Sequence, residues 1–214
     1  KNNNKSNLWA YIIGVYWSDG YVGSRTFELA VKDLEFAEKV RDSFKVVFGI
    51  NQKIGKQIRP KGFGVAGTRI VNRLRVNSTN LVDRIVSLTK RKYGISDELK
   101  GAHRNNLLYL LAGIIDGDGD IVKNRKQKVG KNKSIDRRGY IRISSPIIIL
   151  KVFEKLLKII GYTSKISEKF RMGIHDPSFL KEMYDIGLIS SKQKVLKGVL
   201  IKNEVFKARR DSIY

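Results

Sequence analysis

The 214-residue sequence predicts an α+β fold: a pseudo-twofold repeat of two αββαββα halves, with two antiparallel saddle-shaped sheets and two like helices at the central interface. Three observations carry this. First, the helix-length apolar stretch LLYLLAGIIDGDGDI at Leu107–Ile121 is repeated as LWAYIIGVYWSDGYV at Leu8–Val22, an offset of 99 residues that sets Gly14 on Gly113, Ser18 on Gly117, Asp19 on Asp118 and Gly20 on Gly119. Second, each copy has small residues four apart, Gly14 with Ser18 and Gly113 with Gly117. One face of each helix is thus stripped of bulk, so the two can pack closely in parallel and bring Asp19 and Asp118 together. Third, the segments between and after these helices alternate with period two and carry cations on one face.

In the first half, Thr26–Val31 (TFELAV) alternates as a strand. Leu34–Phe48 places Phe36, Val40, Phe44, Val47 and Phe48 at helical spacing, a core stripe, with Gly49 suited to end the helix. Ile50–Arg59 puts Ile54 and Ile58 on one strand face and Lys53, Gly55, Gln57 and Arg59 on the other; Arg69–Val76 does the same with Ile70, Leu74 and Val76 against Arg69, Arg73 and Arg75. Solvated faces usually mix both signs of charge, whereas these are almost purely positive, which favours contact with a polyanion. Arg25, ahead of the first long strand, joins that set. Ser78–Leu88 reads as a short capped helix and Tyr93-Gly94-Ile95 closes the half. Ser96–Asn106 lacks periodicity and reads as the linker, giving halves 1–101 and 102–214. Residues 1–7 read as a disordered polar lead-in, and Lys1 in place of Met as a trimmed N-terminus.

The second half repeats the order. Tyr140–Ser144 is a strand with Ile141 and Ile143 inward and Tyr140 and Arg142 outward. Pro146–Ile160 is a helix with proline in its first turn and Gly161 at its end. Ser164–Ile174 reads as the cleanest strand, with Lys165, Ser167, Lys169 and Arg171 outward and Ile166, Phe170, Met172 and Ile174 inward, Glu168 being the exception. Helices follow at Pro177–Ile186 and from about Ser191. Gly49 and Gly161 lie 112 apart against 99 for the motifs, so about 13 extra residues fall in Lys123–Gly139, which holds Lys123, Arg125 and Arg138. This segment reads equally as a long hairpin tip following a nucleic-acid backbone and as a floppy cationic tether.

Composition narrows the partner. Net charge is +23, from 43 basic against 20 acidic residues, a balance that metabolic enzymes seldom reach and nucleic-acid-binding proteins often do. A membrane surface fits less well, because the cations are not gathered on one amphipathic helix, no run is long enough to span a bilayer and no secretory signal leads the chain; the expected location is intracellular, in a prokaryotic cytoplasm or an organelle. The absence of cysteine excludes disulfides, cysteine zinc fingers and thiol chemistry.

An acid at a helix C-terminus is unusual, since the macrodipole is already negative there. Two such tips close together repel unless a proton or a cation intervenes, and a divalent, oxygen-seeking ion such as Mg²⁺ would serve. Asp118 alone could equally cap a turn. LAGIIDGDG at Leu111–Gly119 resembles the LAGLIDADG motif of homing endonucleases, and IIGVYWSDG at Ile12–Gly20 resembles a degenerate second copy, as in the single-chain, monomeric branch of that family. The resemblance implies the fold described above, Mg²⁺ (or Mn²⁺) as cofactor, Asp19 and Asp118 as metal ligands, and help from the carbonyls of Ser18 and Gly117. Asp116 and Asp120 match Trp17 and Tyr21 and so are not expected as required ligands. Lys192, at the start of the last helix where the family has a lysine, is a candidate for orienting water or stabilising charge, and equally a solvated or phosphate-contacting lysine. Its first-half counterpart is expected at Lys100, with Glu98 at the strict alignment. Asp33 and Ser145 fall where the family often contacts the attacking water, and neither is the usual Gln or Lys. His103 and His175 lie in unrelated contexts and read as surface or loop residues. The expected activity is site-specific cleavage of double-stranded DNA of the intron- or intein-homing kind. The alternatives are an RNA maturase that binds intron RNA and a non-cleaving DNA-binding regulator.

Overall fold

The structure is a computed structural model that describes residues 2–60, 66–123, 125–129, 133–167 and 170–211; of 2, 125–129, 133–137 and 205–211 only the backbone is described. The chain forms two compact units, residues 1–117 and 118–214.

The first unit opens with α1 (Asn2–Trp17), then β1 (Gly20–Val22), β2 (Thr26–Val31), α2 (Leu34–Phe48), β3 (Gly55–Pro60), β4 (Thr68–Asn77), α3 (Thr79–Thr89), a one-turn α4 (Asp97–Lys100) and α5 (Arg104–Asp118), whose last residue opens the second unit. The sheet is antiparallel in the order β1-β2-β4-β3. Phe27, Leu29, Leu74 and Val76 turn one face onto Phe36, Val40 and Phe44 of α2, and all are buried. The helix ends obey local chemistry. Asp33 caps α2 by accepting from the Phe36 amide, Gly49 ends it at φ +71°, and Ser78 caps α3 by accepting from Leu81.

The second unit contains β5 (Gly119–Val122), β6 (Arg125–Val129), β7 (Lys133–Arg137), β8 (Tyr140–Ser144), α6 (Ile147–Ile159), β9 (Lys165–Ser167), β10 (Arg171–Ile174), α7 (Pro177–Ile186) and α8 (Ser190–Asp211). Its four-stranded sheet runs β5-β8-β10-β9, the same order as the first with β6 and β7 left out. Those two form a separate antiparallel ribbon, so the described part of the inserted segment is paired strand and not a floppy tether.

Several expectations are corrected. Residues 2–7 are the first turns of α1, extended by the apolar run that follows. Ser96–Asn106 holds α4, capped by Ser96, and the start of α5. β3 begins only at Gly55, so Ile54 precedes it. Ile58 and Ile70 pair with each other but are 69% and 64% exposed. The cause is length: β2 stops opposite Asn72, and beyond it β3 and β4 continue as a two-stranded ribbon past the helices. Ser164–Ile174 is two strands, not one. Phe170, expected inward, sits at φ +54° in the bend between them and is 59% exposed. The period-two pattern continued through the bend because both arms face the same core, and no glycine marked the turn.

Candidate active site and nucleic-acid face

α1 and α5 meet through backbone rather than side chains. A Cβ on Gly14 would lie 1.9 Å from the Leu110 carbonyl oxygen, and one on Gly113 would lie 2.3 Å from that of Tyr11. Further along, a Cβ on Gly117 would strike the Ser18 side chain at 2.1 Å and stand 3.1 Å from Asp19 Oδ2. The small-residue spacing therefore does what it predicts, and it brings the exposed Asp19 carboxylate against Gly117, the residue preceding Asp118. Asp118 is the half-buried last residue of α5.

The residues just before these tips are locking groups. Asp116 is buried, accepting from Tyr11 Oη at 2.8 Å and Lys39 Nζ at 2.7 Å. Burial first, then the Asp116 charge, push the Tyr11 phenol well above its ordinary pKa. At the equivalent place in the first copy, Trp17 is buried and donates its indole N–H to the Lys92 carbonyl at 3.2 Å.

Lys92 is a site residue that the periodicity and motif alignment passed over. Its Nζ donates to the carbonyls of Gly20 at 2.9 Å and Ser18 at 3.3 Å and lies 4.9 Å from the Tyr16 ring centroid. Lys90, Arg91 and Lys92 are all in the left-handed region, at φ +46°, +55° and +74°. L-residues there cost roughly 1–2 kcal/mol each, so the chain bends against its preference to deliver an ammonium beside the motif tip. Lys100 instead pairs with Asp97 at 2.6 Å on the exposed face of α4. A usable signal existed: Lys92 and Lys192 are 100 residues apart, close to the motif offset of 99. Lys192 itself lies in the first turn of α8 and is half-buried. Asp33 is occupied as the α2 cap, and His103 accepts from the Asn105 amide at the start of α5.

The donors at the first tip are carboxylate and carbonyl oxygens, a set that suits hard cations such as Mg²⁺, Ca²⁺ or Mn²⁺ better than Zn²⁺. Among the described residues no three His, Cys, Asp or Glu side chains cluster closely enough to hold a metal ion. Any ion here would need oxygens from backbone, water or substrate as well.

The sheet faces hold the remaining candidates. In the first unit, Arg25, Lys53, Arg69 and Arg75 are exposed, while Arg59 and Arg73 both pair with Glu28 and Gln57 accepts from Arg59 Nε at 3.0 Å. The face is therefore less purely positive than its β3 and β4 sequences suggest, because β2 contributes an acid. Exposed Tyr21, across from Glu28, was not among the candidates. In the second unit, Lys123, Arg138, Arg142, Lys165 and Arg171 converge on one concavity of about 500 Å³, with no acidic side chain among the described residues lining it. Tyr140 and His175 stack on its wall with ring centroids 4.3 Å apart. Arg142 also pairs with Asp120 of the neighbouring strand. The side chain of Arg125 and the whole of Lys169 lie outside the described residues.

Residues 6–90 match the family described as the LAGLIDADG-like domain. No curated protein matches the sequence. Among solved structures, I-WcaI bound to its DNA recognition sequence aligns with a TM-score of 0.59 at 12% identity, over 89% of this chain and 86% of that one. I-DmoI in complex with DNA and Ca aligns at 0.53 and 17%, over 83% and 87%, and has also been solved with DNA and Mn. Full-length DUF199/WhiA from Thermatoga maritima aligns at 0.54 and 10%, over 98% and 67%. The family match falls on the half with the degenerate motif, while the near-literal motif lies in the other. Residues 6–90 are thus similar to the LAGLIDADG-like domain, and the chain shares the fold of the homing endonucleases I-DmoI and I-WcaI.

Proposed function

We propose that this protein is a site-specific endonuclease that hydrolyses both strands of duplex DNA with divalent metal, in the manner of intron or intein homing. It acts as a monomer inside the cell, and its halves, 1–101 and 102–214, each supply one motif. The observation that carries this reading is the backbone-close crossing of α1 and α5, which sets Asp19 against the residue preceding Asp118. A binding protein has no need to hold two acids at tips already made negative by helix dipoles.

Asp19 and Asp118, with the carbonyls of Ser18 and Gly117, would hold Mg²⁺ or Mn²⁺. A bound ion supplies Lewis-acid stabilisation of the phosphate and makes water more acidic. Lys92 orients the Ser18 and Gly20 carbonyls and presents positive charge where the phosphate gains negative charge; Lys192 is assigned the same task in the second half. I-DmoI and I-WcaI, which share the fold, have been solved with DNA, and I-DmoI with Ca and Mn, which supports a duplex substrate and divalent metal here.

Incubation with Mg²⁺ and a library of intronless alleles should yield one cleaved target. Asp118→Asn should abolish cutting while leaving affinity for that target within a few-fold of wild type. Unchanged cutting by the variant would remove the metal assignment, and tighter binding to structured intron RNA than to any duplex would replace the endonuclease with a maturase.

A further inference from the structure

A second cavity, of about 390 Å³, lies along α8 and is lined by Lys123, Lys194, Val195, Gly198, Val199 and Lys202. Lys194, Gly198 and Lys202 recur every four residues and so share one helix face. Glycine in a helix interior is destabilising relative to alanine, because its backbone has more freedom to lose and it brings no side chain. At Gly14 and Gly113 the neighbouring helix backbone explains the glycine; at Gly198 an added Cβ would meet nothing within 4 Å. No neighbour among the described residues requires a small side chain there. A glycine between two lysines on an open face suits a ligand that approaches the helix backbone from outside.

The trough has a fixed frame. A Cβ on Gly139 would stand 2.7 Å from both methyls of Val199, and buried Asn203 donates to the Gly139 carbonyl at 3.5 Å, so α8 is docked at the root of the β6–β7 ribbon. Lys123 lines both this trough and the concavity on the sheet face, so the two adjoin at that side chain.

We infer that the Lys194–Gly198–Lys202 face of α8 is a phosphate track that takes the sugar–phosphate backbone of duplex DNA beyond the segment read by the sheet. The track rests on the endonuclease reading. It carries no base-edge information: ammonium groups at this spacing meet phosphates as point charges, and the glycine lets the backbone come close.

Replacing Lys194 and Lys202 together by Gln should weaken target binding and flatten its dependence on log salt by about 1.8, roughly 0.9 for each phosphate no longer neutralised. The preferred target sequence, read from a library of duplexes, should stay the same. Gly198→Leu should raise or preserve thermal stability yet weaken binding, a split that a purely structural glycine would not give. A variant salt slope equal to wild type, or a changed base preference, overturns the track while the endonuclease reading stands. Loss of binding to structured RNA without loss on duplex overturns the duplex as its occupant. Wild-type protein that ignores duplex DNA altogether removes both.

Discussion

The two sheets share a strand order and differ in how they treat charge and reach. In the first unit Glu28 lies on the outer face, is 15% exposed, and holds both Arg59 and Arg73. In the second, Asp120 engages Arg142 at the edge strand, and the cavity beside it gathers Lys123, Arg138, Lys165 and Arg171 with no acid among its described lining residues. Reach is redistributed as well. The β3–β4 hairpin spans 23 residues, Gly55 to Asn77, and its counterpart β9–β10 spans 10, Lys165 to Ile174. The difference of 13 matches the insertion that holds the β6–β7 ribbon, which is why the offset falls back to 98 at α3 and α7, which begin at Thr79 and Pro177, within one residue of the motif offset of 99. Strand order is set by a shared core, whereas charge and arm length, which face outward, are free to differ between copies.

The largest test of that contrast is to remove one cation from each face. Arg171→Ala in the second unit should lose roughly 1–3 kcal/mol of target binding, the range for a bidentate contact to a base, and relax preference at one position. Arg69→Ala, on the β3–β4 ribbon that projects past the first core, should cost less and leave preference intact. Titration of both variants against singly substituted targets decides the matter, and equal losses would dissolve the asymmetry.

Much of this was legible in the sequence, and the gaps have definite causes. α2, β2, β8 and α7 were readable to the residue, because caps and periodicity coincide there: Asp33 and Gly49 bracket α2, and Pro177 and Gly187 bracket α7. The close crossing of α1 and α5 followed from Gly14, Ser18, Gly113 and Gly117. Lys92 was not found, because its place depends on three successive left-handed residues with no glycine among them. Glu28 was hidden for another reason. The β2 segment shows only that Glu28 alternates with Phe27 and Leu29, and not that Arg59 and Arg73, from strands tens of residues away, would close on it.

Glu28→Gln sharpens the comparison from the other side. The Glu28 side chain is largely shielded while Arg59 and Arg73 reach water, so the cost to the fold should lie between the about 0–1 kcal/mol of an exposed ion pair and the about 3–5 kcal/mol of a buried one. Releasing Arg59 and Arg73 should instead strengthen binding to non-cognate duplex and steepen the salt dependence by at most about 1.8 for two added phosphate contacts. The ratio of cognate to non-cognate affinity should fall several-fold. A drop in non-cognate binding would mean that Glu28 aims the arginines rather than restraining them, and the first face would then resemble the second.

His175 gives the smallest effect and a sign that can be fixed in advance. Burial, then the positive charge of Lys165, hold its pKa below the ordinary 6.5. Tyr140 of β8 stacks on it, and Lys123, Arg138, Arg142 and Arg171 line the same concavity. In the free protein the unfolded chain accepts this proton more readily than the folded one, so His175 lowers stability as pH falls through about 6.5. A phosphate backbone in the concavity brings negative charge to the imidazole and raises its pKa again. Duplex binding should therefore strengthen a few-fold on acidification across the same range, while the stability of the free protein declines. His175→Gln should remove both trends, which isothermal titration at a series of pH values and parallel thermal melts would show. Loss of the stability trend alone would leave the imidazole in the wall of the cavity but out of contact with the DNA.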